Sequence, residues 1–107
     1  MVCEYRAFGR VQGVGYRWFV RETAREIDVS GWVRNEPDGS VRVVAAGSTE
    51  QLEQLERALG SGPPGADVHR LVVRHADEHD DLMASPEAES PNAHTRPFAV
   101  VRAGSET

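Results

Sequence analysis

Apolar positions along the 107-residue chain change their period several times, and each change marks an element. Cys3, Tyr5 and Ala7 alternate with Glu4 and Arg6, the period of a half-buried strand. From Tyr16 to Ile27 the spacing becomes helical: Phe19, Val20, Thr23, Ala24 and Ile27 share one face, while Arg21, Glu22, Arg25 and Glu26 point outward. Between these elements lies a glycine-dense turn, Gly9-Arg10-Val11-Gln12-Gly13-Val14-Gly15. Residues 31–34 read as a second strand after Gly31. Glu36-Pro37-Asp38-Gly39 reads as a turn whose proline presets φ, and Val41, Val43 and Ala45 as a third strand, so residues 32–46 predict a hairpin. Ser48 and Gln51 have capping-box spacing at the start of a second helix with the stripe Leu52, Leu55 and Leu59; Gly60, Gly62 and Pro63-Pro64 stop it. Residues 68–74 read as a fourth strand with Leu71 and Val73 on one face, and residues 98–102 as a short last strand. Residues 75–97, with three prolines and many acids, predict a long polar loop, and residues 103–107 a tail.

The order is β-α-β-β-α-β with a short fifth strand. Two right-handed crossovers interleaved in this way predict an α+β, ferredoxin-like (split βαβ) sandwich, an antiparallel sheet with two helices on one face. Residues 1–107 suit one domain at this length. The fold alone hosts many functions, so function rests on the site.

Charge narrows the classes. Twelve basic residues, all arginine, stand against 17 acidic ones for a net charge of −5, which argues against a nucleic-acid binder. The balance is uneven: residues 1–44 hold seven arginines and six acids, so an anion site fits there better than in the acidic remainder. The single Cys3 excludes an internal disulfide and multi-cysteine metal sites, and a reduced, cytoplasmic setting is the expectation. No apolar run approaches the ~20 residues of a membrane span, and MVCEYRAFGR lacks a signal peptide's apolar core.

The chemistry concentrates between Gly9 and Arg17. Three glycines in seven positions permit a tight backbone whose N–H groups converge as a nest for an anion. The helix that follows adds unpaired N-terminal amides and the positive end of its dipole. Arg17, at the start of that helix, offers a planar fork that matches two phosphate oxygens. A turn that merely lets the helix pack close to the sheet, with Arg17 solvated, fits the same residues. Two better-known phosphate loops are absent: without lysine there is no GxxxxGK[ST], and Trp18 stands where the dinucleotide pattern needs glycine. Asn35, near the end of the second strand, carries a carboxamide suited to orienting a water, and equally suited to starting a turn.

These residues carry a resemblance. Gly9 to Arg17, then Gly31-Trp32-Val33-Arg34-Asn35 with Asp38-Gly39-Ser40-Val41, resemble the two signature segments of acylphosphatases, and Ser61 to Ala66 with Val68 resemble the segment after that family's second helix. The resemblance implies a metal- and cofactor-free, monomeric enzyme that hydrolyses the mixed anhydride of a carboxylic acid and phosphate. It implies that Arg17 binds the phosphoryl group, that the backbone of Gln12, Gly13, Val14, Gly15 and Tyr16 cradles it, and that Asn35 holds the attacking water. The implied partner is a small acyl phosphate, with phosphate or another anion in the loop. The reading from a different class is a non-catalytic, ferredoxin-like anion-binding or regulatory domain.

Other features are weaker. Asp28 stands where that family commonly has glycine after its first helix, a costly place for a side chain. His75 and His79, four apart among acids, suit a metal only on a helix, and the glutamate between them is misplaced for HExxH. Trp18 and Trp32 read as packing residues, and Cys3 as a small buried hydrophobe.

Overall fold

In the computed structural model, which describes residues 1–76 and 98–101, β1 (Val2–Arg10) runs through a short loop into α1 (Tyr16–Ile27). β2 (Ser30–Asn35) and β3 (Val41–Ala46) form the expected hairpin, followed by α2 (Thr49–Ser61), β4 (Asp67–Ala76) and β5 (Ala99–Val101). The five strands form one sheet in the order β4-β1-β3-β2-β5. This is the predicted ferredoxin-like arrangement with one correction: the sheet is mixed, because β5 pairs with β2 in parallel. Alternation identifies a strand but says nothing about its neighbour. β5 lies on the free edge of β2 instead of folding back on β4.

The apolar stripes decide the layering. Cys3, Tyr5, Ala7, Val33, Val41, Val43 and Ala45 line one sheet face and meet Val20 and Ala24 of α1 and Leu52, Leu55 and Leu59 of α2 in one buried cluster. Both helices therefore cover the same face. On the other face Trp32, Val44 and Val101 form a smaller cluster. Ser48 caps α2 as its spacing predicted, its side chain accepting from the Gln51 amide at 3.1 Å while Gln51 Oε1 accepts from the Ser48 amide at 2.8 Å.

Several boundaries differ from expectation, three of them by more than a residue or by their effect on a predicted feature. β1 continues through Gly9 to Arg10, with a register shift between Phe8 and Gly9, so the loop proper starts at Val11. α2 passes through Gly60 and stops at Gly62. β4 extends to Ala76, which places His75 on a strand, its Nδ1 3.3 Å from Cys3 Sγ. The helical spacing that a His75–His79 metal site requires is thus lost at its first residue. Residues 77–97, with His79 and His94, and residues 102–107 lie outside the described residues. No helix among the described residues is long and apolar enough to cross a membrane.

Topology then positions the site. β1 and β2 are both antiparallel to β3, so they are parallel to each other and one strand apart, about 10 Å. Their C-terminal ends share one edge of the sheet. Val41 makes this concrete, pairing with Ala7 on one side and Asn35 on the other. The glycine-rich loop leaves from the end of β1, and Asn35 is the end of β2.

Candidate active site

Gly13 and Gly15 both have positive φ, 76° and 79°, which explains the glycines: an L side chain is strained there, although the space beside each is open. Gly15 is the N-cap of α1, and no side chain caps the helix. The first-turn amides and the positive end of the dipole therefore face the loop with no carboxylate beside them, since the first turn holds no acid. Arg17 sits in that turn, where a cation carries the wrong sign for the dipole. Arg17 is half-buried, and its guanidinium forms no hydrogen bond or ion pair among the described residues.

A cavity of about 360 Å³ opens at this edge, lined by Gly13, Gly15, Tyr16, Arg17 and Asn35. Two residues 18 apart in sequence are thereby brought together. Asn35 Oδ1 is buried and accepts no hydrogen bond, an unusual state for a buried amide oxygen. On either side of Asn35, Arg34 and Glu36 form an ion pair of 2.7 Å with both side chains only 10% exposed, and Arg34 also lies over the Trp32 ring. These flanking contacts fix the strand end from which Asn35 projects.

The next turn is tied down as well. Ser40 donates its amide (2.9 Å) and hydroxyl (2.6 Å) to Asp38 Oδ1, and the hydroxyl bond above all holds the Asp38 carboxyl below the usual carboxylate range. Gln12 donates its side-chain amide to the carbonyls of Glu36 and Ser40, both at 2.9 Å. Gln12 and Val14 do not line the cavity: Gln12 reaches this turn, and Val14 packs against the core. The Tyr16 ring is buried, its hydroxyl donates to the Leu59 carbonyl at 2.7 Å, and burial raises its pKa. Of the expected cradle residues, Gly13, Gly15 and Tyr16 thus border the cavity.

Trp32 packs as expected, but Trp18 does not: it is 59% exposed and, with Arg21, Val11 and Val100, completes the cavity lining. A signal existed in the helical period, since Trp18 falls opposite the buried stripe Tyr16, Val20 and Ala24. Val100 had none, because its place follows from the pairing of β5 with β2.

The same segments organise the comparisons with known proteins. The acylphosphatase family model matches residues 3–85, spanning both the loop and Asn35. The chain belongs to the acylphosphatase family. It is 53% identical over 75 residues to the acylphosphatase of Salinibacter ruber, covering 70% of this chain and 79% of that protein. It is 51% identical over 77 residues to that of Nitratidesulfovibrio vulgaris strain Hildenborough, 72% of each chain. The crystal structure of acylphosphatase from Bacillus subtilis superposes with a TM-score of 0.74 at 31% identity, covering 94% of this chain and 99% of that one.

Proposed function

We propose that this acylphosphatase hydrolyses acyl phosphates without a metal, holding the phosphoryl group with the loop amides that border the cavity, those of Gly13, Gly15 and Tyr16, and the Arg17 guanidinium while Asn35 aims the attacking water. The carrying observation is the convergence of Arg17, the two positive-φ glycines and Asn35 on one cavity.

The chemistry suits that inventory. Phosphoryl transfer needs mainly positioning and stabilisation of charge on the equatorial oxygens, and backbone amides with an arginine supply both. Asn35 Oδ1, buried and unpaired, accepts one hydrogen from water and directs a lone pair at phosphorus. The water oxygen bonds to phosphorus as the phosphorus–oxygen bond to the acyl group breaks, and that electron pair leaves on the carboxylate. A carboxylate is stable without a proton, so no general acid is required. The water's proton passes to a phosphate oxygen of the substrate itself. Among the described residues, no His, Cys, Asp or Glu lines the cavity, so arginine and amide groups supply its positive charge.

Hydrolysis of benzoyl phosphate, followed with and without a chelator, tests this reading. Turnover that survives chelation is the expected result. Phosphate binding with no turnover would support a non-catalytic anion-binding domain instead, and turnover abolished by chelator would overturn the metal-free mechanism.

A further inference from the structure

The cavity has a mixed lining: Gly13, Gly15, Arg17, Arg21 and Asn35 bring backbone or polar groups to it, and Trp18 and Val100 bring exposed apolar surface. Among the described residues only four large apolar side chains are exposed, Met1, Trp18, Val72 and Val100, and two of them border this one cavity. Leaving an indole in water at 59% exposure forgoes the burial its ring would gain in the core. The ring is nonetheless held. Arg21, one helical turn on, places its guanidinium carbon 4.0 Å from the ring centroid, and Glu22 fixes that guanidinium through bonds of 3.1 Å from Nε and 3.0 Å from Nη2. The indole is therefore preset as a flat wall beside the phosphate end of the cavity.

We propose that Trp18 is the wall for the acyl half of the substrate, and that it makes flat aromatic acyl phosphates better substrates than acetyl phosphate. This rests on the reading of the site given above. The phosphoryl end is identical in every acyl phosphate, so only the carbon skeleton distinguishes one from another. An aryl group lies against an indole with the offset or edge-on contacts aromatic rings favour. An acetyl methyl is too small to gain much from that surface. Val100, 40% exposed on β5, adds apolar area to the same cavity.

The test compares kcat/KM for benzoyl and acetyl phosphate in the wild type, Trp18→Ala and Trp18→Phe, with inorganic phosphate as a competitive inhibitor. The benzoyl-to-acetyl ratio falls about tenfold in Trp18→Ala, Trp18→Phe keeps most of it, and phosphate inhibition stays within twofold. An unchanged ratio in Trp18→Ala overturns the proposal. So does a parallel loss of both substrates and of phosphate affinity, which would make the ring a prop for Arg17. A second readout needs no turnover. Benzoylphosphonate, a non-hydrolysable analogue, changes the tryptophan emission of the wild type but not of Trp18→Phe, in which only the buried Trp32 remains. Unchanged wild-type emission at a saturating concentration, set by displacement of phosphate, counts against the wall. An emission change in a protein that hydrolyses neither substrate supports the wall and contradicts hydrolysis.

Discussion

The Gln12 side-chain amide donates to the backbone carbonyl of Glu36 at 2.9 Å, joining the glycine-rich loop to the turn that follows Asn35. A second bond of 2.9 Å to the Ser40 carbonyl makes the link bidentate. The two halves of the site thus hold one another in register, across the strand that separates β1 from β2.

Removing that link separates positioning from folding. In Gln12→Ala both carbonyls keep another donor, the Gly39 amide for Glu36 and the Glu36 amide for Ser40. The stability cost is therefore about 1 kcal/mol. Small misplacements of catalytic groups cost rate steeply. The expected outcome is a roughly tenfold fall in kcat with phosphate affinity within about threefold, read by steady-state kinetics and phosphate titration.

Acid stability depends on Glu4. Burial by itself raises the Glu4 carboxyl, but hydrogen bonds from Arg74 and Arg42, with their charges, outweigh it and leave the group below its ordinary value. A folded-state pKa that is depressed stabilises the protein above the unfolded value, near ~4.3, and the contribution is lost as pH falls through the folded one. Glu4→Gln should therefore lower stability by about 1 kcal/mol at pH 7, and its urea midpoint should converge on that of the wild type as the pH falls through the lowered folded-state value.

The end of α1 carries a removable strain. Asp28 has φ 73° and ψ 40°, the one non-glycine residue with positive φ among those described, while its amide donates to the Ala24 carbonyl at 2.9 Å. Asp28→Gly keeps that backbone bond and relieves the side chain. It should raise stability by about 0.5–1 kcal/mol, roughly 2–6 °C in Tm by calorimetry, with turnover unchanged.

Much of this was legible in the chain because the relevant physics is local. The period of Phe19, Val20, Ala24 and Ile27 marked α1, the Ser48–Gln51 spacing marked the start of α2, and the density of Gly13 and Gly15 marked a backbone that only glycine tolerates. Arg17 and Asn35 were legible as groups suited to an anion and to a water, and the fold brings both to one cavity. What was not legible depends on partners distant in sequence. The short apolar run of residues 98–101 could not say that β5 would pair with β2, so neither the mixed sheet nor the place of Val100 followed from it. Gln12 read as one more loop amide until the turn at Glu36 and Ser40 came within reach. Trp18 reads as a packing residue in the sequence, although its position off the buried stripe points outward, where the structure has it.

The pH dependence of turnover follows from the lining of the cavity. Its described residues include arginines and the Asn35 amide, and no carboxylate or imidazole. Turnover of benzoyl phosphate should be flat from about pH 5 to 8, apart from ionisation of the substrate. A steep limb of one proton near pH 6.5 in the kcat profile would demand a histidine in the mechanism.

Phosphate titration and turnover measured side by side in Arg17→Ala and Asn35→Ala test the division of labour most directly. The account predicts that Arg17→Ala loses both, with activity down by about 10³-fold or more and phosphate binding too weak to saturate. It predicts that Asn35→Ala binds phosphate within about threefold of wild type while kcat falls at least about a hundredfold. Unchanged phosphate affinity in Arg17→Ala, or equal losses of binding and turnover in Asn35→Ala, would contradict it.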